Sequence, residues 1–312
     1  MESISLAGTD LRVSRVGFGC CPMGRHGWGA VNAKELCDAV DTAIDLGVNF
    51  FDTADIYGLG ESEVILGKAL GKRRLDCVVA TKFGARRDAT NRTYYDNSGA
   101  WMEQALNGSL RRLNTDVIDL YQVHYPDDRT PFPSLIENLE KQRRAGKIRY
   151  YGVSNLASDS VPAEIVPPHC VSFQMEYSLA NRTHEADILA TQKDTRLSFI
   201  SWGSLGQGIL SGRYDKTTSF PENDRRNRSV YRNFHGTTFE RNLAIVSIMK
   251  DISSLTGRSL PQIALRWILD RLPDSIALAG VKCPAQIRDN AGAMDWKLSE
   301  RDMLMLDRAS TP

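Results

Sequence analysis

The sequence predicts an α/β fold: a (β/α)8 TIM barrel spanning residues 1–312 as a single domain, with an N-terminal β-hairpin and additional C-terminal helices. Three observations predict it. Eight short apolar runs alternate with helix-like stretches. The returns from helix to strand are short, which marks parallel strands joined by crossovers. A length of 312 residues fits one closed barrel of this kind.

The elements follow in order. Ile4-Ser5-Leu6 and Leu11-Arg12-Val13, around Gly8-Thr9-Asp10, read as a hairpin able to plug the barrel floor. The first barrel strand is Arg15-Val16-Gly17-Phe18-Gly19. A helix over 32–46 follows, with Leu36, Val40, Ala43 and Ile44 at helical spacing and Gly47 as its stop. Val48-Asn49-Phe50-Phe51 is the second strand, followed by a helix over 61–70 that ends at Gly71. Val78-Val79-Ala80-Thr81 is the third, leading through a polar loop to a helix over 99–113. The fourth, 117–123, precedes Pro131-Phe132-Pro133 and a helix over 134–145. Strands five, six and seven occupy 148–153, 171–175 and 197–202, and the seventh opens a long Gly- and Arg-rich loop. Helices over 239–255 and 261–271 stand outside the repeat, the second begun by Ser259 with Pro261. The eighth strand, 275–279, is followed by helices over 285–293 and 299–309.

Composition narrows the function classes. Hydrophobic residues make up 42% and charged residues 25%, with a formal charge of +1, so nothing favours nucleic acid or an acidic membrane surface as a partner. No apolar stretch approaches the roughly 20 residues of a membrane span, and the N-terminus lacks a basic segment followed by an apolar one. Six cysteines, at 20, 21, 37, 77, 170 and 283, show neither metal-site spacing nor a disulfide framework. The expectation is a cytoplasmic protein with free thiols and no metal.

Four ionisable residues then stand out. Asp52, Lys82 and His124 sit at or just past the ends of strands two, three and four, and Tyr57 lies in the loop after Asp52. If the barrel closes, these strand ends share one rim, where barrel enzymes build their sites. A tyrosine ordinarily loses its proton near pH ~10, and a neighbouring ammonium would lower that value. Asp52 beside Lys82 would keep the amine charged, and His124 would orient a substrate oxygen. Such machinery protonates an oxygen becoming an alkoxide but supplies no electrons, so a cofactor is implied.

The same residues carry a resemblance. Gly47-Val48-Asn49-Phe50-Phe51-Asp52-Thr53-Ala54-Asp55-Ile56-Tyr57-Gly58, continued by Glu61 and Leu66-Gly67, resembles the first motif of the aldo-keto reductases. Ile118-Asp119-Leu120-Tyr121-Gln122-Val123-His124 and Gly146-Lys147-Ile148-Arg149-Tyr150-Tyr151-Gly152-Val153-Ser154-Asn155 resemble two more. Gln174-Met175-Glu176-Tyr177-Ser178-Leu179 and Trp202-Gly203-Ser204-Leu205-Gly206-Gln207-Gly208 extend the match over nearly the whole chain.

The resemblance implies NADP(H) bound without a Rossmann domain and a small-molecule carbonyl or alcohol substrate, with the oligomeric state open. It implies Tyr57 as acid/base, Asp52 and Lys82 as its tuning pair, and His124 as the group orienting the carbonyl. It implies Ser154, Asn155 and Gln174 at the nicotinamide carboxamide and Trp202 stacked on the ring. The pyrophosphate would lie by Ser204, Leu205, Gly206, Gly208, Leu210 and Ser211, and the adenosine end along Gly280, Lys282, Gln286 and Asn290. Lys282 and Arg288 would favour a 2′-phosphate. Arg213, Arg225, Arg226 and Arg228 crowd the loop after strand seven, with most of that charge expected to face solvent.

Ser204 stands where relatives often carry proline, and Cys283 where many offer a polar or basic group. The chain also ends soon after its last helix, so specificity falls to loops carrying Trp28, Tyr94, Tyr95 and Tyr125, suited to a polar or sugar-like carbonyl. The alternative from another class is a cofactor-binding regulatory subunit with little turnover. A carboxylate-dependent glycosidase fits poorly, because Asp52 beside a lysine has no evident acid partner.

Overall fold

A computed structural model of the chain describes residues 1–156 and 166–311. The first two strands, β1 (Ser3–Ser5) and β2 (Arg12–Ser14), pair antiparallel with Ile4 opposite Val13. Then come β3 (Val16–Gly19), α1 (Ala33–Asp45), β4 (Phe50–Asp52), α2 (Glu61–Leu70) and β5 (Val78–Phe83). A small hairpin, β6 (Ala85–Arg87) with β7 (Thr93–Tyr95), precedes α3 (Gly99–Leu113), β8 (Ile118–Val123) and α4 (Phe132–Arg144). The chain continues through β9 (Ile148–Ser154), β10 (Cys170–Glu176), α5 (Glu185–Asp194) and β11 (Ser198–Trp202). It closes with α6 (Gly236–Thr256), α7 (Leu260–Arg271), β12 (Ser275–Gly280), α8 (Pro284–Ala291) and α9 (Glu300–Ser310).

Strands β3, β4, β5, β8, β9, β10, β11 and β12 form a closed parallel barrel in that order, with β12 returning to β3. This is the expected (β/α)8 barrel. The unit after β9 falls partly on 157–165, outside the described residues.

Side-chain alternation explains how the barrel separates core from site. Phe50, Val78, Ala80, Leu120, Ile200, Ile276 and Leu278 point inward and cluster with Leu6, Leu11 and Val13 of the hairpin, which plugs the floor. The intervening residues, such as Phe51, Val79, Phe83 and Tyr121, face outward under the helices. Continuing the inward register up β4, β5 and β8 places Asp52, Lys82, Gln122 and then His124 above that floor. A bulge between Cys170 and Ser172 resets β10 so that Ser172 and Gln174 join the same face.

Local caps fix the helices where the sequence placed them. Asn32 accepts from the amides of Lys34 and Glu35, Ser259 and Gln262 make a capping box, and Ser299 accepts from Asp302 N. Several boundaries change, three of them for a visible reason. The second strand begins at Phe50, because Asn49 is committed to β2, its Oδ1 accepting from Ser14 N at 2.8 Å and its Nδ2 donating to Arg12 O at 2.9 Å. Helix α4 starts at Phe132, two residues early, since Pro133 is tolerated in a first turn that needs no donor there. The loop after the third strand is partly ordered as β6–β7.

Candidate active site

Lys82 and Asp52 lie at the centre of the barrel mouth, 0% and 3% exposed. Lys82 Nζ donates to Asp52 Oδ1 at 2.5 Å and to Thr53 O at 3.0 Å. The other carboxylate oxygen accepts from Gln122 Nε2 at 3.2 Å and Gln174 Nε2 at 3.0 Å. A buried ion pair persists only when both charges are this fully hydrogen-bonded.

Tyr57 stands in the turn after β4, its ring centre 5.5 Å from Lys82 Nζ. Gly58 follows at φ 62° and packs so closely on Gly24 that a Cβ there would sit 2.5 Å from Gly24 O. This contact sets the turn that carries the phenol. Burial, then the neighbouring Cys21 and Asp52, pushes the Tyr57 phenol well above its ordinary value. The expectation of a lowered phenol is corrected in its net direction: desolvation dominates, and the tyrosine holds its proton.

His124 is buried, and its ring meets Tyr57 edge to face with centroids 5.7 Å apart. Burial, reinforced by the Lys82 charge, holds the imidazole well below its ordinary pKa, so it is neutral. Its Nδ1 is buried without a hydrogen-bond partner among the described residues. A neutral imidazole with a free nitrogen beside a protonated phenol suits a ligand oxygen. Tyr57, Lys82, Asp52 and His124 therefore do converge on one rim.

Sequence reading missed three groups. Gln122 sits two residues before His124, and strand alternation alone placed it inward. Glu63 of α2 is fully buried and bonded to Arg112 and to Thr81 Oγ1. Near it Asp55 has an Oδ1 with no partner among the described residues, and burial with the Glu63 charge pushes its carboxyl up to about 8.

The residues expected around a cofactor occupy the same rim. Ser154 is buried beside Asn155, whose Nδ2 donates to His124 O at 2.9 Å and whose Oδ1 accepts from Trp202 Nε1 at 3.0 Å. Gln174 joins the quartet, but its amide nitrogen serves Asp52. Ser204 is buried and hydrogen-bonded to Ser201, so its hydroxyl is turned into the rim. Leu205 leads into a tight turn, Gly206–Ser211, in which Leu210 is buried and Ser211 Oγ donates to Gly208 O. Gly280 ends β12, Gln286 Oε1 accepts from Lys282 N, and Lys282 Nζ donates to Trp28 O. Asn290 is buried, its Nδ2 without a partner among the described residues, while Arg288 is exposed.

The loop arginines do not all face solvent. Arg226 pairs with Asp224 and packs on Phe220, and Arg225 lies over the Trp28 ring, each held by a specific partner. Of the expected pocket aromatics, Tyr95 stacks on Tyr125 at 5.0 Å and Tyr125 on His124 at 5.1 Å, while Trp28 meets Tyr231 edge-on. Tyr94 points the other way from the alternating strand β7, onto Arg86, which also covers Trp101.

Comparison with known proteins agrees with this geometry. The profile of the "Aldo/keto reductase family" matches residues 15–311. The chain is 33% identical to aldo-keto reductase YhdN of Bacillus subtilis, over 97% of this chain and 91% of that protein. It is 33% identical to the Schizosaccharomyces pombe aldo-keto reductase yakc [NADP(+)], over 92% and 86%. The solved glycerol dehydrogenase AKR11B4 from Gluconobacter oxydans superposes with a TM-score of 0.88 at 32% identity, covering 98% of this chain and 94% of that one. The barrel, the quartet on its rim and these matches give one conclusion: the chain belongs to the aldo/keto reductase family.

Proposed function

We propose that this single-domain barrel reduces an aldehyde or ketone to an alcohol with NADP(H), Tyr57 giving the proton. The observation that carries the reading is the buried Lys82–Asp52 pair beside a protonated Tyr57 and a neutral His124. NADPH, when bound, supplies the hydride that reaches the carbonyl carbon. His124 offers the substrate oxygen a nitrogen that has no partner among the described residues. Tyr57 passes its proton to that oxygen as negative charge develops there, and the Lys82 ammonium stabilises the phenolate left behind. Asp52 fixes the ammonium, and solvent returns the proton afterwards.

Observations of this chain fit the cofactor. Asn290 has a buried, unpartnered amide nitrogen where the adenosine end is expected, and Gly206 and Gly208 at positive φ let backbone approach phosphate. Ser154, Asn155 and Trp202 line the rim next to His124 for the nicotinamide end, and Lys282 supplies charge for a 2′-phosphate. The NADP(+) in the printed name of yakc supports the same cofactor. For substrate we favour a small hydroxylated, sugar-like carbonyl, supported by the aromatic wall of Tyr95, Tyr125 and Trp28 and by the likeness to a glycerol dehydrogenase. Six free cysteines support a reducing, cytoplasmic setting.

The test is a panel of aldehydes, ketones and sugars with NADPH, and of polyols with NADP. Turnover on hydroxylated carbonyls supports the reading. Tight cofactor binding with no turnover on any substrate would instead make this a cofactor-binding regulatory module.

A further inference from the structure

Between the glycines of the turn after β11 stands a residue that should not tolerate the conformation it adopts. Gln207 has φ 55° and ψ 22°, in the left-handed region, with Gly206 at φ 56° and Gly208 at φ 104° on either side. Such a backbone costs a side chain of this size about 1 kcal/mol or more, so something must hold it.

The holding groups are visible. Gln207 Nε2 donates to Glu176 Oε1 at 2.9 Å, and Gln207 Oε1 accepts from Asn233 Nδ2 at 2.5 Å. Asn233, itself buried, is anchored by Asn242 of α6, whose Nδ2 donates to Asn233 O at 3.1 Å and to its Oδ1 at 3.2 Å. One side chain thus ties the end of β10, the turn after β11, the long loop and α6 together. Gly203 belongs to the same arrangement, since a Cβ there would come within 3.3 Å of both Gln207 and Glu176.

We propose that Gln207 is a positioning residue: clamped by Glu176 and Asn233, it holds the Gly206–Ser211 turn in the shape that receives the cofactor's pyrophosphate. This rests on the cofactor reading above and adds a residue that makes the phosphate site rather than touching it. The clamp works through hydrogen bonds made by an uncharged amide, which fix the turn while occupying one oxygen of the half-buried Glu176 carboxyl.

Equilibrium binding to the full chain tests it, with NADPH and adenosine 2′-monophosphate, which lacks the pyrophosphate, as probes. Gln207→Ala keeps the strained position without its bonds, and Glu176→Ala removes one anchor. Both are expected to weaken NADPH by about tenfold, the loss of one or two hydrogen bonds, while leaving the monophosphate unchanged. Glu176→Gln retains an acceptor and should bind NADPH like the wild type. The proposal is overturned if Gln207→Ala binds NADPH as the wild type does, or if it loses both probes equally, which is general damage to the turn. Failure of the wild-type chain to bind NADPH would instead sink the cofactor reading itself.

Discussion

Lys82 and Asp52 form an ion pair of 2.5 Å sealed inside the barrel mouth, and the same ammonium lies 5.5 Å from the centre of the Tyr57 ring. The pair has two separable consequences. As a buried pair it is costly to break from one side only. As a positive charge next to a phenol it lowers the energy of the phenolate that the proposed proton donation would create.

Asp52→Ala leaves the Lys82 ammonium buried without its partner and should cost about 3–5 kcal/mol in a urea titration. The double variant Asp52→Leu with Lys82→Met removes both charges and should recover most of that stability while staying inactive. A double variant as unstable as Asp52→Ala would show that the loss is not one of unpaired charge.

Reduction should show a flat pH dependence between about pH 6 and about pH 9. Burial holds Tyr57 protonated above this range and His124 neutral below it, so neither changes charge within it. Alcohol oxidation needs the phenolate and should rise with pH throughout. An inflection of the reduction rate at the ordinary histidine value, abolished by His124→Asn, would contradict the neutral imidazole.

Asp55 makes a stability prediction with a definite sign. Its ordinary carboxyl value of 3.8 rises to about 8 in the fold, from burial and the charge of Glu63, with Arg112 and Lys82 opposing. The folded state therefore holds a proton that the unfolded chain has released. That contribution is complete below about pH 4 and is lost as pH rises toward about 8. Asp55→Asn mimics the protonated acid, so it should flatten this slope and be more stable than the wild type at about pH 9. Denaturation curves at several pH values measure it, and equal slopes for both proteins would refute it.

The sequence reading succeeded where residue pattern and geometry coincide. Asp52, Lys82 and His124 end strands that the barrel makes neighbours, so strand counting alone put them on one rim. The helices over 61–70 and 99–113 have the observed bounds because Gly71 and Ser98 mark an end and a start. What could not be read depends on balances made only in the folded chain. The phenol of Tyr57 is governed first by desolvation, which needs burial to be known. Glu63 and Gln207 matter through partners 18 to 49 residues away, and nothing in their local sequence marks them. Tyr94 and Tyr95 look alike in the chain, yet β7 sends one to Arg86 and the other to Tyr125.

The hairpin plug should matter for stability and not for chemistry. Leu6 is fully buried in the inward-facing cluster at the floor, at the end of the barrel opposite Tyr57. Leu6→Ala should cost about 2–5 kcal/mol in denaturant while leaving KM for cofactor and carbonyl unchanged. A shift in KM without loss of stability would mean that the floor and the mouth are coupled.

The most direct test of Tyr57 as the proton donor is a single-turnover measurement of Tyr57→Phe preloaded with NADPH, alongside NADPH binding by tryptophan fluorescence. Phenylalanine keeps the ring against His124 and removes only the hydroxyl. The expected result is cofactor binding near that of the wild type, with the reduction step slowed by about 10²–10⁴-fold. A variant that binds NADPH and reduces the carbonyl at close to the wild-type rate would contradict the assignment.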